Sequence, residues 1–111
     1  MPEAQGIKRT VLAKIEFPGD YTTVTAIAEI EPGVTAARHF HPGIESAYIL
    51  EGECDLRVEG QPERRVAAGD SFQVVNATPH DLSNVSSDKP LRILSTYIIE
   101  RDKPLAIPAP K

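Results

Sequence analysis

GVTAARHFHPGIESAYILEG, residues 33–52, decides how this chain is read. It holds His39 and His41, two of the three histidines in the chain, with Glu45 four residues later. The third, His80, closes a second short stretch, GDSFQVVNATPH, residues 69–80. In a strand, residues two apart point the same way, so His39 and His41 present both imidazoles to one side of a sheet. Phe40 then points to the other side. The Pro42-Gly43 bend resets the chain, so strand parity alone does not place Glu45. It opens the next strand, which brings it near the histidine pair across a tight connection. His80 begins a strand about forty residues further on, and closure of the sheet would bring it opposite.

Outward from this stretch, the pattern is that of strands. Ten prolines and seven glycines punctuate short runs rich in Val, Ile, Thr and Tyr. No segment has sustained helical periodicity with good caps. Strands are expected over 10–15, 22–31, 35–41, 45–50, 54–58, 64–66, 71–75, 80–85 and 91–99. Val24, Ala26, Ala28 and Ile30 share one face. So do Cys54, Leu56 and Val58, and so do Leu91, Ile93, Ser95, Tyr97 and Ile99. Short strands at this spacing predict a closed barrel or sandwich. The end of the chain, residues 103–111, is proline-rich and cannot enter a central ladder. It is expected to lie extended over the surface or against a partner subunit.

The bulk properties narrow the function. A chain of 111 residues is one domain, 1–111, and needs no disulfide or structural metal to fold. Its net charge is −4, with both signs dispersed, which argues against nucleic-acid binding. The pairs Lys8-Arg9 and Arg64-Arg65 read as solvated surface. No apolar run reaches the roughly 20 residues of a membrane helix, and the first ten residues lack the apolar core of a secretory signal. The expected location is cytoplasmic. The single Cys54 cannot form an internal disulfide, and its phase with Leu56 and Val58 predicts burial.

Three neutral imidazoles and a carboxylate suit one divalent transition metal, with Fe or Mn favoured and Ni, Cu or Zn as alternatives. The absence of thiolates argues against a finger-type zinc site. Four protein ligands on a six-coordinate metal leave two positions for water, dioxygen or substrate.

These residues resemble the cupins. The first cupin motif, glycine, His-x-His, glutamate, glycine, is met at every spacing by Gly33, His39, His41, Glu45 and Gly52. The second is met by Gly69, His80 and Asn84, with Val75 where the family has proline and Ala77 where it has glycine. The resemblance, to a small single-domain cupin of bacterial type, implies an all-β, double-stranded antiparallel β-barrel of jelly-roll kind. It implies His39, His41, Glu45 and His80 as metal ligands, and a homodimer. By analogy, Phe72 and Asn84 face the cavity. Tyr48 and Arg38 are expected to face away from the metal. Tyr97 reads as a packed tyrosine, or as lining the cavity if its strand faces it. Apart from Glu45, a candidate base as well as a ligand, no acid–base residue is expected inside. The resulting expectation is a metal-dependent oxidoreductase of dioxygenase type acting on a small organic molecule. The alternatives are a metal-dependent isomerase or lyase, and a cupin that binds a small ligand without catalysis.

Overall fold

In the computed structural model, residues 6–17 and 19–110 are described. Ten strands follow in chain order: β1 Ile7–Phe17, β2 Tyr21–Ile30, β3 Thr35–Phe40, β4 Gly43–Glu51, β5 Glu53–Val58, β6 Arg64–Ala67, β7 Ser71–Val74, β8 His80–Asn84, β9 Leu91–Glu100 and β10 Ile107–Pro108. They form two five-stranded sheets, β1-β2-β9-β4-β7 and β10-β3-β8-β5-β6. Every pairing is antiparallel. The two sheets face each other in a jelly-roll arrangement that stops short of a closed barrel.

Period-two alternation produces this architecture. Along β2, every second residue from Thr22 to Ile30 is buried, and β9 buries Leu91, Ile93, Ser95, Tyr97 and Ile99. Both strands thus turn one apolar face inward, where burying each large aliphatic side chain contributes about 1.5–3 kcal/mol. The main core lies towards one end, around Ile49, Leu56, Leu91, Ile93 and Phe72. A second cluster of Val24, Ala26, Tyr97 and Ile99 lies towards the other, with Leu105 packed on it. Cys54 is inaccessible to solvent, as its phase required, and burial pushes its thiol up to about 12.

Three expectations need correction. Phe72 belongs to the main core, opposite Ala47, and not to a cavity near the histidines. Asn84 is buried, but its amide donates to the carbonyls of Ile30 and Lys89 at 3.0 and 2.9 Å, and its Oδ1 accepts from the Ser86 backbone. It ties down the loop before β9. A third concerns β1, which is longer than expected and carries a bulge between Val11 and Ala13. The extra residue switches which side chains point inward. Before it, Ile7, Arg9 and Val11 oppose the inward Ile30, Ala28 and Ala26; after it, Lys14 opposes the inward Val24. Arg9 is accordingly half-buried and not solvated surface. Arg65, by contrast, is exposed and pairs with Asp55 and Glu53.

The bends beside the histidines are held by close backbone contacts. Gly43 has no room for a side chain, since a Cβ there would lie 1.8 Å from the Ile98 carbonyl oxygen. Its carbonyl accepts from the Ala77 backbone at 3.0 Å, which fastens the turn before His80 to the bend after His41. Ala77 has φ 53°, the left-handed conformation that glycine adopts freely. Alanine in place of glycine here therefore leaves strain of about 1–2 kcal/mol, partly offset by the lower entropy of the unfolded chain. Ala77→Gly is expected to raise the melting temperature by about 2–4 °C. A fall in thermal melts followed by circular dichroism would show that this strain is not present.

Candidate metal centre

The histidines come together from neighbouring strands of one sheet. His39 is the penultimate residue of β3 and the direct cross-strand partner of His80 at the start of β8. His41 follows one residue past the end of β3. Their rings lie 4.4–5.0 Å apart between centroids, and their candidate ligand nitrogens all fall within 4.8 Å of one another. Glu45 reaches the same point from the facing sheet, on β4, with Oε1 3.1 Å from His41 Nε2 and 3.4 Å from His80 Nε2. The expected placements are therefore exchanged. His80 stands beside His39 in one sheet, and Glu45 is the group that arrives from the opposite side.

Each imidazole is oriented by a backbone carbonyl. His39 Nδ1 lies 2.7 Å from the Ala37 oxygen, His80 Nδ1 2.9 Å from the Thr78 oxygen and His41 Nδ1 2.7 Å from the Leu105 oxygen. A carbonyl only accepts, so each Nδ1 carries the proton and donates it. In the neutral rings the lone pairs are then on Nε2. For His41 and His80 this atom faces the Glu45 carboxylate. His41 Nε2 is fully buried and makes no hydrogen bond among the described residues, despite Oε1 at 3.1 Å. Two acceptors facing each other in a dry site are stable only with a cation between them. The donor set therefore fits a divalent metal.

The ionisation states agree. Burial, and then the neighbouring His80, lowers His39 to about 4, so at neutral pH its lone pair is available. Burial alone would raise Glu45, but positive charge at the ring nitrogens of His41 and His80, a shared proton or a metal in its place, outweighs it and holds the carboxyl well below the usual range. Ser95 Oγ donates to Glu45 Oε2 at 2.8 Å and occupies its other oxygen. Tyr97 is buried beside the histidines, 2% exposed, with its ring 4.7 Å from that of His41. Burial and then the Glu45 charge push its hydroxyl well above its ordinary value, against the opposing pull of the nearby Arg9 guanidinium. Tyr48 is exposed and Arg38 pairs with Glu59, both away from the centre, as parity predicts.

A cupin-domain family model matches residues 26–97. The chain belongs to the cupin family. Among curated relatives, the HTH-type transcriptional regulator PuuR of Escherichia coli is 35% identical over 68 residues, 60% of this cupin and 36% of the regulator. The chain thus spans about a third of the length of that relative. Among solved structures, a conserved double-stranded β-helix protein of Klebsiella pneumoniae superposes with a TM-score of 0.75 at 19% identity, over 99% of this chain and 90% of that one. The DMSP lyase DddQ of Ruegeria pomeroyi gives 0.74 at 24% identity, over 93% of this chain and 51% of that one. At these identities the two structures establish the shared fold.

The tail was the part of the site that sequence reasoning missed. It docks on its own chain, where β10 pairs with β3 at the sheet edge, Ile107 opposite Phe40 and Pro108 opposite His39. Leu105 packs on Val24, Ala26, Tyr97 and Ile99 while its carbonyl takes the His41 proton. The one available signal was the spacing of Leu105 and Ile107 between prolines, which marks an edge strand. A carbonyl that orients a metal-binding imidazole is worth roughly 10–100-fold in metal affinity. A chain ending at Lys103 is therefore expected to bind metal weaker by about that factor in competition with a chelator. Unchanged affinity would remove the tail from the centre.

Proposed function

We propose that this cupin binds one divalent transition metal through His39, His41, Glu45 and His80, and acts as a metal-dependent oxidoreductase of dioxygenase type on a small organic molecule. The observation that carries the reading is the convergence of three buried or half-buried imidazoles, each with Nδ1 committed to a carbonyl, on one carboxylate. A bound metal, with Fe or Mn favoured, would supply the redox chemistry and the open positions for dioxygen or a chelating substrate.

The protein's own groups favour this over isomerase or lyase chemistry. A general base works best with its pKa near the operating pH. Glu45 is held far below that, and both its oxygens are engaged, so it suits a ligand better than a base. Tyr97 is pushed in the direction that keeps it protonated. It can position a substrate oxygen but is poorly suited to removing a proton. The apolar side chains of Val24, Ala26 and Ile99 pack with Tyr97 at this end of the molecule.

A second reading has an observation of its own. The likeness to PuuR, whose name describes a transcriptional regulator, favours a domain that binds a small molecule without transforming it. Metal analysis and oxygen uptake separate the two. Protein purified without added metal is expected to carry stoichiometric Fe or Mn, and His39→Ala and His80→Ala to lose it while the sheets still fold. Oxygen consumption with a panel of diketones, phenols and flavonols then supports the oxidoreductase. Metal without oxygen uptake across the panel favours the binding domain, and no metal even after reconstitution sinks the enzyme reading.

The same reading includes a homodimer. Ile44, Tyr48, Leu50 and Ile98 are exposed on the outer face of the β4–β9 pair, and Ile44 is the cross-strand partner of Ile98. Light scattering is expected to give twice the 12.1 kDa chain mass. A monomer at micromolar concentration would refute this part.

A further inference from the structure

β9 turns five residues inward, and Ser95 is the small polar one among them. Ala26 and Ala47 are its partners on the strands to either side. Ser95 is 1% exposed, so its hydroxyl needs a partner inside the sandwich. Glu45 supplies it. Glu45 lies across the ladder from Tyr97, and Ala47 across from Ser95, so Glu45 and Ser95 are diagonal neighbours on adjacent strands. A long side chain spans that diagonal, and Ser95 Oγ donates to Glu45 Oε2 at 2.8 Å.

The two carboxylate oxygens are thereby divided. Oε1 is the one that faces the imidazoles, 3.1 Å from His41 Nε2 and 3.4 Å from His80 Nε2. Oε2 is held towards β9 by the hydroxyl. A carboxylate can bind a cation through one oxygen or through both. For Glu45 to use both, Oε2 must turn towards the ring nitrogens. That movement breaks the Ser95 bond and leaves a buried hydroxyl without its acceptor. Hydrogen bonds to an ionised carboxylate are among the strong ones, and Ser95 is too deeply buried for bulk solvent to replace this one.

We propose that Ser95 is a positioning residue that restricts Glu45 to binding the metal through Oε1 alone. The inference rests on the metal reading and deepens it, since it sets how many positions stay open. Three imidazole nitrogens and one carboxylate oxygen on a six-coordinate ion leave about two positions for substrate or dioxygen. A chelating Glu45 leaves about one. The hydroxyl therefore decides between a site that admits a ligand binding through two atoms and a site that admits one atom. Ser95 acts through Glu45 and touches no reacting atom.

The test uses the full chain loaded with manganese(II), its stoichiometry fixed first by metal analysis. Waters on the ion are counted from the broadening of its electron-spin-resonance lines in water enriched in a magnetic oxygen isotope, and from water proton relaxation. The native chain is expected to hold about two exchangeable waters and Ser95→Ala about one, with the relaxation enhancement falling roughly twofold. Ser95→Thr keeps the hydroxyl and is expected to match the native chain. Ser95→Val has the same shape as the threonine variant without the hydroxyl, and is expected to match Ser95→Ala. This pair separates the hydrogen bond from packing, and carries the comparison if the alanine variant does not fold. Ser83→Ala, which removes a hydroxyl bonded to Thr35 and Arg57 in the other sheet, is expected to leave the count unchanged. Weaker metal binding in Ser95→Ala with an unaltered water count overturns the proposal, because a merely orienting bond would do no more than that. So does an equal count in the threonine and valine variants. A native chain that binds manganese with about one water overturns binding through Oε1 alone but leaves the ligand set standing. A chain that binds no metal overturns the ligand set, and the role of Ser95 with it.

Discussion

Three hydrogen bonds from imidazole Nδ1 to backbone carbonyls organise this protein. The acceptors are Ala37, Thr78 and Leu105, from three separate parts of the chain. Each bond fixes a ring's tautomer and rotation together, so that the opposite nitrogens are free to converge. Two of the carbonyls lie two residues before the histidine they hold, so local chain geometry suffices. The third lies 64 residues after His41 and exists only because the tail folds back over the sandwich. The centre is therefore complete only when the last strand is in place.

That arrangement explains features which look unrelated along the chain. Gly43 admits no side chain because the bend after His41 is pressed against β9. Ala77 accepts a strained φ because its N–H bonds the Gly43 carbonyl, and that bond sets the turn from which His80 starts. The two sequence motifs are thus physically joined at a backbone hydrogen bond next to the site they supply. Strain held in place by its surroundings is common beside functional groups, and here it is confined to one residue of the turn.

The centre also has a direction. His41, His80 and Glu45 are deeply buried, whereas His39 is partly open. One end of the sandwich is filled by the large core around Ile49, Leu56 and Leu91. The other has smaller side chains, a cleft and the cations of β1. The bulge in β1 is what sets both Arg9 and Lys14 opposite inward residues of β2.

Much of this was written in the sequence. Alternation placed the inward faces of β2, β5 and β9, because burial on one side of a pleated strand demands a period of two. The spacing of His39, His41, Glu45 and His80 identified the candidate donor set, because ligands must be few, grouped and of suitable chemistry. What the sequence left open was decided by pairing between distant segments. Register made His80 the neighbour of His39 and brought Glu45 from the facing sheet. A single unpaired residue turned Arg9 inward against the simple reading of a charged pair. The tail's carbonyl reached His41, and Asn84 was diverted to a loop, through backbone groups that every residue carries alike. Backbone carbonyls leave no mark in composition or motif, so their part in the centre became visible only once the chain had folded.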